Sequence, residues 1–200
     1  SVMRAANYRL ISSENSSSRS RRLIEPLRGF MNRGLLKKAQ RIKLIILDAD
    51  GVLSDGNIIY GALGRTELEL KAFNAHDGIG ISRAIELGVP VAIITGRRSQ
   101  IVSRRARELG IKDVFQGSED KLPSYDKLKL RYKLGDEEIA YMGDDVPDLI
   151  LLKKVGLSAT TKSAVPEVKR SVDYVSMLGG GQGAVREFID LILRTQKKIS

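Results

Sequence analysis

Four clusters of reactive side chains follow one another along the chain: Asp48-Ala49-Asp50, Thr95-Gly96-Arg97, Lys121 and Gly143-Asp144-Asp145-Val146-Pro147-Asp148. Each is weak alone. Acids two apart are common in solvated loops, Thr-Gly often marks only a turn, and a single lysine is normally a surface residue. In this order they form a set suited to phosphoryl transfer. A phosphomonoester is a dianion, so a carboxylate attacks it only where cations screen the repulsion. Asp48 is the candidate nucleophile, splitting the reaction into an aspartyl-phosphate step and a hydrolysis step. Asp50 is placed to protonate the leaving alkoxide and later to deprotonate the attacking water. Thr95 and Lys121 would hold the phosphoryl oxygens. Asp48, Asp144 and a nearby backbone carbonyl match Mg2+, which takes a few carboxylates plus substrate and water oxygens.

Such a set works only if the fold gathers it. The run Lys43–Leu47 (KLIIL) predicts a strand buried on both faces, with Asp48 at its carboxyl end. Two alternating segments, Asn57–Tyr60 and Glu67–Phe73, separated by Gly61–Gly64, predict a β-hairpin. Beyond it the pattern alternates. Helices are expected over Asp77–Leu87, Arg98–Leu109, Asp120–Leu134, Val146–Val155 and Ala184–Leu193. Strands are expected over Val89–Ile94, Val114–Phe115, Ile139–Met142 and Leu157–Ala159. This order specifies an α/β fold, a Rossmann-like parallel sheet with helices on both faces. Ligands in such folds sit beyond the carboxyl ends of the strands, where all four clusters fall. Only 44 residues separate Asp50 from Thr95, and 25 separate Thr95 from Lys121. Neither gap has room for a cap domain, so the hairpin is the candidate flap over the site. A lone hairpin is marginally stable, which favours pairing with copies from other subunits over a simple sheet extension in a monomer.

Composition bounds the rest. With 200 residues and 42% hydrophobic content the chain suits one sizeable domain. No apolar run approaches the ~20 residues of a membrane-spanning helix, so a soluble, cytoplasmic protein without a membrane partner is expected. Cysteine is absent, which excludes disulfides and thiolate–zinc sites and fits a reducing compartment. The net charge of +10 is concentrated at one end: residues 1–43 hold 11 basic and 2 acidic side chains, the remainder 23 and 22. Residues 1–41 therefore read as a basic leader, partly disordered, with a short amphipathic helix within Leu23–Arg41, and residues 42–200 as the catalytic domain. The Ser/Arg-rich stretch 11–22 fits a solvated tail, a tag remnant or an organelle-targeting peptide. It has no aromatic interleaving or base-reading module, so nucleic acid is not an expected partner.

The motifs IILDADGVLSDG (45–56), LKAFNAHDGIGI (70–81), AIITGRRS (92–99), QGSEDK (116–121), YMGDDVPDL (141–149), VGLSAT (155–160) and GGGQGAVREF (179–188) resemble the haloacid dehalogenase superfamily, and within it the uncapped 3-deoxy-D-manno-octulosonate 8-phosphate phosphatases. The resemblance spans residues 42–194. It implies Asp48 as nucleophile and Asp50 as general acid/base, with the Asp50 backbone carbonyl joining Asp48 and Asp144 on the metal. It implies Thr95, Gly96 and Lys121 on the phosphate, Asp148 or Asp145 as supporting carboxylate, and Asn74, His76, Asp77 and Arg97 on the substrate. It also implies a homotetramer acting on a phosphorylated sugar acid in lipopolysaccharide precursor synthesis. Two positions depart from the pattern: His76 and Gln182 stand where family members commonly carry arginine, suited to a sugar-acid carboxylate. The alternatives are a nine-carbon acid sugar phosphate of the sialic acid or KDN type, or a catalytically silent oligomerisation module. A silent module has no need to keep Asp48, Asp50, Lys121 and Asp144 together.

Overall fold

The computed structural model of the protein describes residues 33–200, so most of the basic leader and residues 23–32 of the expected amphipathic helix lie outside the described residues. Helix α1 (Arg33–Arg41) enters the domain with Ala39 fully buried. The amide of Gln196 then donates to the Ala39 and Ile42 carbonyls at the end of that helix. Strand β1 (Leu44–Leu47) follows, buried throughout. The β-hairpin consists of β2 (Ile59–Leu63) and β3 (Thr66–Leu70). After it come α2 (Ala75–Glu86), β4 (Val91–Thr95), α3 (Gln100–Glu108), β5 (Asp113–Gln116) and α4 (Leu122–Tyr132). The chain continues through β6 (Ile139–Met142), α5 (Leu149–Leu152), β7 (Leu157–Thr160), α6 (Pro166–Lys169), β8 (Tyr174–Val175) and α7 (Ala184–Thr195).

Six strands form one sheet in the order β5-β4-β1-β6-β7-β8, with every pairing parallel. The chain steps outward from β1 through β4 to β5, then crosses back to β6 and runs out the other way. The reversal lies between β1 and β6, which is where open α/β sheets form their ligand crevice. Alternation along the strands divides the core. Ile45, Leu47, Val91, Ile93, Ala140 and Met142 pack one face under α1, α2, α3 and α7. Leu44, Ile46, Ala92, Ile94, Ile139 and Tyr141 pack the other under α4, α5 and α6. Helix α7 shows why sequence dictates this: Val185, Phe188, Ile189 and Ile192 recur at helical spacing and are all fully buried. Each contributes roughly 1.5–3 kcal/mol of burial.

Three expectations shift. The hairpin turn is the two-residue loop Gly64-Arg65, not Gly61–Gly64; Gly61 pairs with Leu68 inside the ladder. Gly64 has φ +63°, the positive value that tight hairpin turns demand. The helix expected from Val146 starts as a tight three-residue turn at Val146–Asp148, with Pro147 in it, and runs as α-helix only over Leu149–Leu152. The short α6 and β8 had no periodicity to announce them. The hairpin forms a sheet of its own with β2 facing outward, and Tyr60 and Leu63 are 72% and 74% exposed. Among the described residues no helix is long and apolar enough to cross a membrane.

Candidate active site

Asp48 is the first residue past β1, and its N–H donates to the Met142 carbonyl of β6 at 2.9 Å. The extra ladder bond seats it at the β1–β6 reversal. One Asp48 oxygen accepts the Ala49 N–H at 2.7 Å, and the other lies 3.0 Å from the Lys121 ammonium. Lys121 comes from the turn into α4, with its side chain 4% exposed. Burying a lysine demands counter-charge, and Asp148 supplies it at 2.5 Å. The Tyr141 hydroxyl lies 3.0 Å from the same ammonium.

Asp148 is fully committed. Its Oδ1 accepts from Lys121 and the Tyr141 hydroxyl, and its Oδ2 from the Asp144 and Asp145 N–H groups at 2.9 and 3.1 Å. It therefore holds both Lys121 and the loop that presents Asp144. Asp145 does neither. It is exposed and its carboxylate accepts the Val146 N–H, so of the two acids it is Asp148 that contacts Lys121.

One carboxylate oxygen from each of Asp48, Asp144 and Asp148 fall within 4.8 Å of one another. Three carboxylates face one ammonium here, an excess of negative charge. Burial raises Asp48 to about 6, with Lys121 opposing. Burial and the charges of Asp48 and Asp148 raise Asp144 to about 7. Burial pulls the Lys121 ammonium down, but Asp48 and Asp148 more than offset this and hold it above its ordinary value. With Asp148 saturated, Asp48 and Asp144 are the carboxylates left for a divalent cation, and their strain as bare anions is what such an ion relieves. Gly51 (φ +76°) makes room: a Cβ there would meet an Asp144 oxygen at 1.9 Å.

Asp50 points elsewhere. Its carboxylate is outside the acidic cluster, hydrogen-bonded to the Lys71 ammonium and 3.5 Å from the Arg97 guanidinium. Thr95 ends β4 with its side chain buried, and its carbonyl accepts the Ser118 N–H at 3.1 Å. Gly96 and Arg97 follow, exposed at the same rim.

The substrate-facing expectations divide. Asn74 caps α2, its side chain accepting the His76 and Asp77 N–H groups. Asp77 is 2% exposed, and its two oxygens accept the Gly183 and Arg186 N–H groups at the start of α7. Both are thus engaged by backbone N–H groups at helix starts. The same bonds bring exposed His76 beside the loop that carries exposed Gln182. Sequence reasoning passed over Lys71, Glu69, Tyr60 and Tyr141. The only signal for the first two is the alternation Glu67, Glu69, Lys71, which puts them on one hairpin face.

A family model for haloacid dehalogenase-like hydrolase matches residues 110–179. The chain is 44% identical over 171 residues to the 3-deoxy-D-manno-octulosonate 8-phosphate phosphatase of Escherichia coli strain K12, covering 86% of this chain and 89% of that protein. A crystal structure of the phosphatase of that name from Yersinia pestis superposes with a TM-score of 0.79 at 43% identity, covering 83% and 88% of the two chains. The corresponding Moraxella catarrhalis structure, in complex with a magnesium ion, a phosphate ion and a KDO molecule, gives 0.78 at 41% identity, covering 82% and 92%.

Proposed function

The chain belongs to the 3-deoxy-D-manno-octulosonate 8-phosphate phosphatase family of haloacid dehalogenase-like hydrolases, and from that premise we propose that it hydrolyses this sugar-acid phosphate through a phosphoryl group carried on Asp48. The observation that carries the reading is the Lys121 ammonium fixed between Asp48 and Asp148, with Asp144 beside them.

A carboxylate oxygen of Asp48 attacks phosphorus while the bond to the sugar C8 oxygen breaks. Lys121, with the Thr95 hydroxyl, holds the phosphoryl oxygens, and because Asp148 retains it, Lys121 keeps its place as Asp48 loses charge. Asp50 gives its proton to the departing alkoxide, then takes one from the water that attacks the aspartyl phosphate. Asp48 is restored as phosphate leaves. Mg2+, held by the Asp48 and Asp144 carboxylates and the Asp50 carbonyl, would supply further neutralisation of the phosphoryl charge. Arg97, His76 and Gln182 are offered for the sugar-acid carboxylate. On this reading the enzyme serves lipopolysaccharide precursor synthesis, and we assign that reaction to the cytoplasm.

The exposed apolar residues of the hairpin support a homotetramer in which copies of the flap pair and roof neighbouring sites. A phosphate-release screen across eight- and nine-carbon sugar-acid phosphates and hexose phosphates tests the substrate, with preference expected for the eight-carbon ester. A flat profile rejects it. Asp48→Asn is expected to abolish turnover in a folded protein, and retained turnover would reject the nucleophile.

A further inference from the structure

Lys71 follows β3 directly, beside hairpin residues such as Tyr60, Leu63 and Leu70 that are open to solvent, yet its side chain is 1% exposed. A lysine at a surface element ordinarily extends its ammonium into water. This one turns inward onto Asp50 Oδ1, which the Ser54 hydroxyl also approaches at 3.5 Å. Glu69 Oε1 lies 3.5 Å from the same ammonium. Glu69 is itself fixed, its Oε2 accepting the Ser99 hydroxyl at 2.7 Å where Ser99 caps α3. Lys71 is thus held by the flap and by the rim of β4 together. The other Asp50 oxygen, Oδ2, is 3.5 Å from the Nε of Arg97, whose side chain is 42% exposed. One oxygen is anchored inward and the other lies toward the open rim.

We propose that Lys71 is a positioning residue for the acid–base step: it anchors Asp50 Oδ1 and leaves Oδ2 as the oxygen that passes the proton. This rests on the reading of Asp50 as general acid/base. Asp50 sits in an irregular turn beside Gly51 (φ +76°), with no regular element to fix its side chain. Without Lys71 its remaining charged partner among the described residues is the exposed Arg97, and the carboxylate no longer has a defined direction. General acid catalysis is worth about 10²–10⁴-fold and depends on placing the proton within hydrogen-bond reach of the leaving oxygen.

The test compares kcat/KM on two esters, 3-deoxy-D-manno-octulosonate 8-phosphate and p-nitrophenyl phosphate. This parameter reports the steps through loss of the leaving group, and nitrophenolate leaves without a proton whereas a sugar alkoxide needs one. Lys71→Met is expected to lose at least about tenfold more on the sugar ester than on the nitrophenyl ester. Lys71→Arg should recover most of the difference. In the Asp50→Asn background, Lys71→Met should add nothing, because the residue acts through Asp50. Equal losses on both esters, or additive effects in the double variant, would overturn the proposal. If Asp50→Asn itself shows no dependence on the leaving group, the acid–base reading fails and takes the proposal with it. If it does show that dependence and Lys71→Met does not, only the role of Lys71 fails. Should Lys71→Met not fold, Lys71→Gln carries the same comparison.

Discussion

Replacing Asp144 with asparagine is expected to stabilise the metal-free protein while removing its response to magnesium. Burial, together with the charges of Asp48, Asp148 and Asp145, raises the Asp144 carboxyl from 3.8 to about 7. Between those values the folded protein holds a proton that the unfolded chain has already released. Stability therefore falls as pH rises through that window. At roughly 1.4 kcal/mol per unit, the full shift corresponds to about 4 kcal/mol of destabilisation above neutrality. Solvent at this half-buried carboxylate reduces that to on the order of 2 kcal/mol. Asp48, raised to about 6, adds a loss of the same sign. Urea unfolding of chelator-treated protein at about pH 5 and about pH 8 reads the effect. The wild type should lose stability between the two, and Asp144→Asn should lose less and be the more stable at the higher pH. Magnesium should then raise the wild type with the logarithm of its concentration above Kd and leave the variant almost unmoved. A wild-type stability that is flat or rising across the window, or an equal gain from magnesium in both proteins, would refute the picture of a charge excess awaiting a cation.

Two further outcomes follow from the same geometry. Asp77→Ala leaves the Gly183 and Arg186 N–H groups without their acceptor and is expected to cost about 2–4 kcal/mol in thermal or urea unfolding. Its KM should stay near the wild-type value, and a large KM change without loss of stability would return Asp77 to the substrate. Leu63→Lys, at a flap position 74% exposed in the single chain, should dissociate the proposed assembly as measured by light scattering. A wild type that is monomeric at micromolar concentration would remove the roofed-site reading.

The sheet was legible because its central strands are short apolar runs that end in polar chemistry. Ile139–Met142 falls where the pattern places it, and β1 differs from its expected span by one residue. The acidic cluster was legible for the same reason: Asp48 and the Asp144 loop directly follow buried strands, and Thr95 ends one. What sequence could not disclose lies in long-range pairing. Asn74 and Asp77 sit in a motif that looks ligand-facing, but their partners are backbone N–H groups, those of Asp77 more than a hundred residues away. The Lys71–Asp50 bond joins a hairpin edge to an irregular turn, and nothing local to either residue announces it. The short β8 is defined by its parallel pairing with β7 and not by any period of its own.

The loop Gly179–Gly183 is packed beneath the turn that follows Asp48. Gly181 N–H donates to the Val52 carbonyl at 3.0 Å, and a Cβ on Gly180 would lie 2.0 Å from the Gly51 carbonyl oxygen. The turn after Asp48 is thus completed by residues translated almost a whole domain later. A nascent chain that has already paired β1 with β4 still lacks the floor of that turn. Phosphatase activity should consequently emerge late in biosynthesis, only after the segment from Gly179 onward has left the ribosome, so that unfinished chains do not hydrolyse phosphate esters.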